Sequence, residues 1–184
     1  LSIDVAGTGA PSVPPGGPGA NVAVVEYYDA AFDHYFSTPL ASEIALCDAG
    51  TVPCAGWVRT GATFAAYAAS DPAHGAIGVC RFFNDAYAPK SSHFYALHGL
   101  GCEDTLADFP DWHLESGDLF AMAVPAADGT CPAGTRPVFR LFNDSQGGAP
   151  DHRFTVDPAI RATMIGRGWI PEGYGTGVAF CAPT

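Results

Sequence analysis

Three stretches decide how this chain folds: VVEYYDAAFDHYFST at 24–38, VCRFFNDAYAPKSSHFYA at 79–96 and VFRLFNDSQGGAPDHRFTV at 138–156. Each opens on an apolar strand pattern that carries one charged residue: Glu26, Arg81 or Arg140. Two large apolar residues come next, then Asp29, Asn84 or Asn143, residue types that bond their own backbone and start turns. A polar loop leads to a histidine in a second, aromatic strand. His34, His93 and His152 stand 59 residues apart. Equal spacing of a rare residue inside matching flanks is the signature of an internal repeat.

The segment after each histidine strand also recurs. In the third copy Asp157 is placed to cap a helix with Pro158 at its first position, Ile160 and Met164 on one face and Gly168 at its end. Thr38 and Pro39 are read as the matching start in the first copy, with Leu40 and Ile44 on the face and Gly50 as the stop. The second copy, from His98 to Phe109, is interrupted by glycines. Trp57, Trp112 and Trp169 come next, then a glycine turn at Gly61, Gly117 or Gly173, then a strand with Phe64, Phe120 or Phe180. The unit reads as strand, loop, strand, helix, strand, turn, strand. Its tryptophans and phenylalanines are core candidates, and three copies around a shared centre would bury one continuous core. The expected fold is α+β: a β-rich, pseudo-threefold repeat domain with one short helix per repeat. The domain spans residues 22–184, with copies at about 22–75, 76–130 and 131–184.

Ahead of it, residues 1–21 differ in character. LSIDVAGTG at 1–9 alternates like a strand and ends in a turn, and APSVPPGGPGA at 10–20 is a Pro/Gly spacer. The first nine residues resemble the last strand of immunoglobulin-like modules of bacterial surface proteins. They are read as the end of a preceding module, which would make the chain part of a larger protein.

Composition bounds the function. The 184 residues are 48% hydrophobic and 12% aromatic, enough for a packed core, and 22 Gly and 16 Pro favour short elements joined by turns. With 8 basic and 19 acidic residues the net charge is −11, which opposes binding to nucleic acid or anionic lipid. No apolar run is long enough to span a bilayer as a helix. The six cysteines, Cys47, Cys54, Cys80, Cys102, Cys131 and Cys181, form no closely spaced pair of the zinc type. Three disulfides and an oxidising, extracellular setting fit better. One bridge per copy is the simplest pairing: Cys47–Cys54, Cys80–Cys102 and Cys131–Cys181.

The third copy, CPAGTRPVFRLFNDSQGGAPDHRFTVDPAIRATMIGRGWIPEGYGTGVAFCAP at 131–183, resembles a repeat family found at the C-terminal ends of exported bacterial proteins and catalogued as a domain of unknown function. Its pattern is a YRLYN-like strand, an HFYT- or HRYTT-like strand, a helix, then GW, EG and an aromatic strand. The second copy departs at Ala96, where the family has Thr, and the first has Glu26 in place of Arg. The resemblance implies an accessory module of a secreted protein, and no established activity.

No catalytic constellation stands out, and a non-catalytic protein is expected. There is no GxSxG, and the cysteines are better used in bridges. Glu43, Glu103, Glu115 and Glu172 read as solvated or helix-end residues rather than paired catalytic acids. GYGTG at 173–177 lacks the Lys-Ser/Thr of a phosphate loop and reads as a hairpin or bulge. The polar loops are the candidate site, through Tyr28, Asp29, Asn84, Asp85, Tyr87, Asn143 and Asp144. Aromatic faces stack on sugars, and Asn and Asp bond hydroxyls, so glycan or cell-surface polysaccharide is the expected ligand. A calcium ion held with Asp29, Asp33 and Asp151 is the alternative use of these acids. His34, His93 and His152 are read as structural, pinning loop to strand. If all three pointed at one axis they would instead suit zinc. The rival classes are a structural or adhesive spacer of a larger exported protein and a hydrolase with an unrecognised site.

Overall fold

The computed structural model describes residues 21–184 apart from 69, 72 and 73. The strand and spacer read in 1–20 lie outside the described residues. The remainder is mostly β-sheet with three short helices and three disulfides.

The first strand of each quoted stretch becomes the centre of a small antiparallel sheet. β1 (Asn21–Asp29) lies between β2 (His34–Thr38) and β3 (Trp57–Tyr67). β4 (Ala76–Asn84) lies between β5 (Ser92–Leu97) and β6 (His113–Ala123). β7 (Thr135–Phe142) lies between β8 (His152–Thr155) on one side and β9 (Ile170–Glu172) and β10 (Val178–Pro183) on the other. These three groups are called segments 1, 2 and 3. β6 links them, pairing with β3 at Tyr67↔Ala121 and with β10 at Cys181↔Ala123. The segments share one core, to which each contributes a strand valine and a phenylalanine: Val24 and Phe64, Val79 and Phe120, Val138 and Phe180. Burying each of these side chains contributes about 1.5–3 kcal/mol.

Several local expectations change. Gly61 and Gly117 do not end strands. β3 and β6 run on through them, because their edges remain paired to β1 and β4. Only in segment 3 is the strand broken, at 173–177, where Tyr174 bridges Val178. Gly173 there has φ +124°, and a Cβ would come within 2.5 Å of the Val178 carbonyl oxygen, so the turn requires glycine. Helix α1 (Ala41–Asp48) starts later than Thr38–Pro39 implies, with Leu40 at the cap and no side-chain cap bond. Thr38 Oγ1 instead accepts from Leu40 N at 3.0 Å and donates to Glu43. Helix α2 (Cys102–Asp108) forms only after the glycines at 99 and 101.

Helix α3 (Pro158–Gly166) agrees with the sequence reading. Asp157 Oδ1 accepts from Ala159 N at 2.7 Å, Pro158 opens the helix and Met164 is buried. Asp157→Ala is expected to lower stability by about 1 kcal/mol, read as an earlier urea midpoint at constant slope. An unchanged midpoint would mean that Pro158 alone sets the start.

The disulfides are Cys47–Cys54, Cys80–Cys102 and Cys131–Cys181, each within one segment.

Candidate functional site

The three polar loops, at 30–33, 85–91 and 144–151, meet at one end of the molecule. Lys90 Nζ donates to Phe32 O at 3.1 Å and to Gly147 O at 3.0 Å, so one ammonium joins all three loops. His34 Nδ1 donates to Ser91 O at 2.7 Å, and Tyr35 N donates to Asp151 Oδ2 at 2.8 Å.

The seven candidate ligand-binding residues divide sharply. Asp29, Asn84 and Asn143 are buried. Asp29 Oδ1 accepts from Ala31 N at 2.8 Å, and Asn84 Oδ1 from Ala86 N at 2.9 Å. Asn143 Oδ1 accepts from Ser145 N at 3.0 Å and Asp151 N at 2.8 Å, while its Nδ2 donates to Ala149 O at 2.9 Å. All three shape turns from within. Tyr28 is half-buried, and its hydroxyl donates to Asp33 Oδ1 at 2.8 Å. Asp85, Tyr87 and Asp144 face outward, Tyr87 being 43% exposed.

The acids weighed for calcium are not brought together. Asp29 shapes its turn, Asp33 pairs with Arg167 at 2.7 Å, and Asp151 is buried against Tyr35 N. Burial pushes the Asp151 carboxyl well above its ordinary range. Among the described residues no group of three or more His, Cys, Asp or Glu is placed to hold a metal ion.

The histidines are not equivalent. Strand register places Tyr35 opposite Tyr28, His93 opposite Phe83 and His152 opposite Phe142. His34 lies opposite Asp29, one position away, so the equal spacing in sequence overstates the match. His93 and His152 each face a strand glutamate, with Nε2 3.2 Å from Glu115 and 3.3 Å from Glu172. Burial drives the His93 pKa down to about 4 despite the carboxylate beside it, so the ring is neutral at pH 7. Burial would raise Glu115, but His93 and Arg81 prevail and hold it at about 2.

Of the four glutamates read as solvated or helix-end residues, Glu43 and Glu103 do lie in the first turns of α1 and α2, and Glu103 is exposed; Glu43 is buried against Arg81, Glu115 also meets Arg81, and the part-exposed Glu172 pairs with Arg140. Where segments abut, a guanidinium lies against an aromatic ring of strand β2 or β5. Arg81 sits 5.5 Å from the Phe36 ring centre, Arg140 4.9 Å from that of Phe94, and Arg153 4.1 Å from that of Tyr35. Arg81 Nη1 and Nη2 donate to both Glu43 oxygens at 2.8 and 2.7 Å, and Nε lies 2.9 Å from Glu115. Burial opposes charge on Arg81, yet the Glu43 bonds raise its pKa above the ordinary value. Arg153 donates to both Glu26 oxygens at 2.9 and 2.8 Å, with Thr60 Oγ1 also on Glu26 at 2.6 Å. Glu26 thus stands where segments 2 and 3 have an arginine, and Arg153 from segment 3 restores the cation. Arg140 meets Glu172 through Nε at 3.1 Å. Around it Phe94, Trp112 and Phe142 are half-buried, and His152 packs on all three rings. Trp57 and Trp169 are buried, so Trp112 is the tryptophan nearest to solvent. Sequence patterns gave Arg81 and Arg140 as strand charges, but nothing local announced their partners.

A β-rich module stapled by three disulfides, with loops gathered at one end and no metal cluster among the described residues, is the class of domain this geometry defines. The chain belongs to the family described as domain of unknown function DUF5648, whose model matches residues 51–179. Comparison with curated proteins and with solved structures gives no match.

Proposed function

We propose that this chain is a non-catalytic, secreted binding module that recognises glycan or cell-surface polysaccharide through the loops joined at Lys90. The observation that carries the reading is the convergence of three loops on one ammonium, with Asp85, Tyr87 and Asp144 left facing outward. Loops held together in this way, with an aromatic side chain and carboxylates facing outward, suit sugar hydroxyls and ring faces. In this reading the segments are degenerate copies around a pseudo-threefold axis, and Asp29, Asn84 and Asn143 hold the loops' shape rather than touch ligand. Extracellular placement is supported by the three bridges, since disulfides persist in oxidising compartments. No helix among the described residues is long and apolar enough to cross a membrane.

A glycan array with the purified chain tests the reading. Tyr87→Ala and Asp144→Ala are expected to weaken any glycan bound by about tenfold each, with unchanged melting temperature. The inward use of Asp29, Asn84 and Asn143 favours a second reading, a spacer domain of a larger exported protein. An empty array would support it. Turnover of a polysaccharide, ester or peptide by the chain would sink both.

A further inference from the structure

We propose that the junction of segments 2 and 3 is a binding site for the carboxylate of a uronic acid residue, with Arg140 as the anion receptor and Phe94 and Trp112 as its apolar wall. The proposal rests on the glycan-binding reading and adds to it a ligand class and a second place on the molecule.

The molecule supplies its own template. Arg81 and Arg140 occupy the same place in their segments, each in the central strand and each facing the aromatic residue that pairs across the neighbouring hairpin, Phe36 opposite Tyr27 and Phe94 opposite Phe82. Each takes a strand glutamate on Nε, Glu115 or Glu172. The difference lies at the other end of the guanidinium. Helix α1 sends Glu43 onto Nη1 and Nη2 of Arg81, forming the parallel two-bond pairing that guanidinium and carboxylate prefer. Helix α2 sends nothing to Arg140, since its Glu103 turns to His98 and its Asp104 and Asp108 are exposed. Among the described residues, Nη1 and Nη2 of Arg140 make no hydrogen bond to the chain, and Glu172 is its one ion-pair partner.

This junction is also the more open one. The side chains of Arg140 and Glu172 are 19% and 31% exposed, against 2% and 12% for Arg81 and Glu115. A carboxylate arriving from solvent would reproduce at Arg140 the arrangement the fold already tolerates at Arg81: one guanidinium between two carboxylates beside a neutral histidine. Trp112 is half-buried and packs edge to face 5.9 Å from Phe94, the ring that Arg140 covers, so an indole stands next to the guanidinium's own aromatic partner. A pyranose with a carboxyl group presents those two features together, a CH face for the ring and an anion for the fork. The net charge of −11 repels a polyanion at long range, so a single uronate on an otherwise neutral glycan fits best.

Titration calorimetry with cellobiouronic acid, its methyl ester and cellobiose tests the inference. Cellobiouronic acid is expected to bind, and the ester and cellobiose about tenfold more weakly or not at all. Arg140→Gln and Trp112→Ala are expected to lose that binding by about tenfold, and Arg140→Lys, which keeps the charge but not the fork, to recover only part. The ligand comparison uses the unaltered chain, so it holds even if a variant folds poorly. Equal affinity for acid and ester, or binding indifferent to Arg140, overturns the site. If neutral glycans still bind through Tyr87 in that case, the module reading stands without it. Binding of an acidic peptide but no uronate at Arg140 overturns the ligand class, and failure of every glycan overturns both readings.

Discussion

Arg81→Met is expected to destabilise the fold by about 3–5 kcal/mol, because it leaves two carboxylates inside the protein without their cation. Glu43 and Glu115 both depend on that guanidinium, and Glu43 is fully enclosed. Taking charges out of water is costly, and only the mutual pairing offsets it. The measurement is equilibrium unfolding in urea at neutral pH. A loss below about 1 kcal/mol would mean that the pair behaves as if solvated. The triple change Arg81→Met, Glu43→Leu and Glu115→Gln is expected to recover most of the loss, since an apolar replacement of a whole buried ion group is often near neutral. The value of the network would then lie in specifying which segment meets which.

Lowering the pH from 7 to 4 is expected to remove about 3 kcal/mol of stability through His93 alone. Its folded pKa is about 4, against about 6.5 in an unfolded chain. Between those values the unfolded chain takes up a proton and the folded one does not, so stability falls as the pH falls, by about 1.4 kcal/mol per unit. Burial shifts His34 and His152 the same way, adding to the slope. Asp151 acts in opposition. Its raised pKa lets the folded chain hold a proton that the unfolded chain has lost, so its contribution falls as the pH rises above about 3.8. Glu115, held at about 2, contributes stability above about 4.5 that is lost toward pH 2. Unfolding midpoints at pH 7 and pH 4 check the balance. His93→Gln is expected to flatten the decline and Asp151→Asn to steepen it. A decline as steep in His93→Gln as in the unaltered chain would mean that His93 is charged inside the fold.

The features legible in the sequence are those set by local chemistry. Asp157 and Pro158 announce a helix start because both act within one turn, and Asn143 announces a loop because it bonds backbone a few residues away. The cysteine pairs were legible because each closes inside its own segment. The register of the second strands was not. His34 sits one position from where its spacing suggests, because the loops before the three strands differ in length and only the ladder fixes the pairing. Glu43 lies at a helix end, as its reading allows, but its burial is not legible in the sequence. An acid on a short helix is normally solvated, and its partner Arg81 lies 38 residues on. Glu26 and Arg153 are 127 residues apart, so a missing arginine in one segment and its replacement from another could be seen only in three dimensions. The same holds for the candidate site: the polar loops were visible, but which of their side chains turn inward was not.

The disulfide connectivity bears on how the chain comes to be made. Read from the N-terminus, every cysteine bonds to its next neighbour: 47 with 54, 80 with 102, 131 with 181. A chain synthesised in that direction presents its thiols two at a time, and each couple belongs together. The earliest available partner is therefore always the native one. Among these six cysteines no bond formed on the way has to be undone to reach the native pairing, so their oxidation can keep pace with elongation.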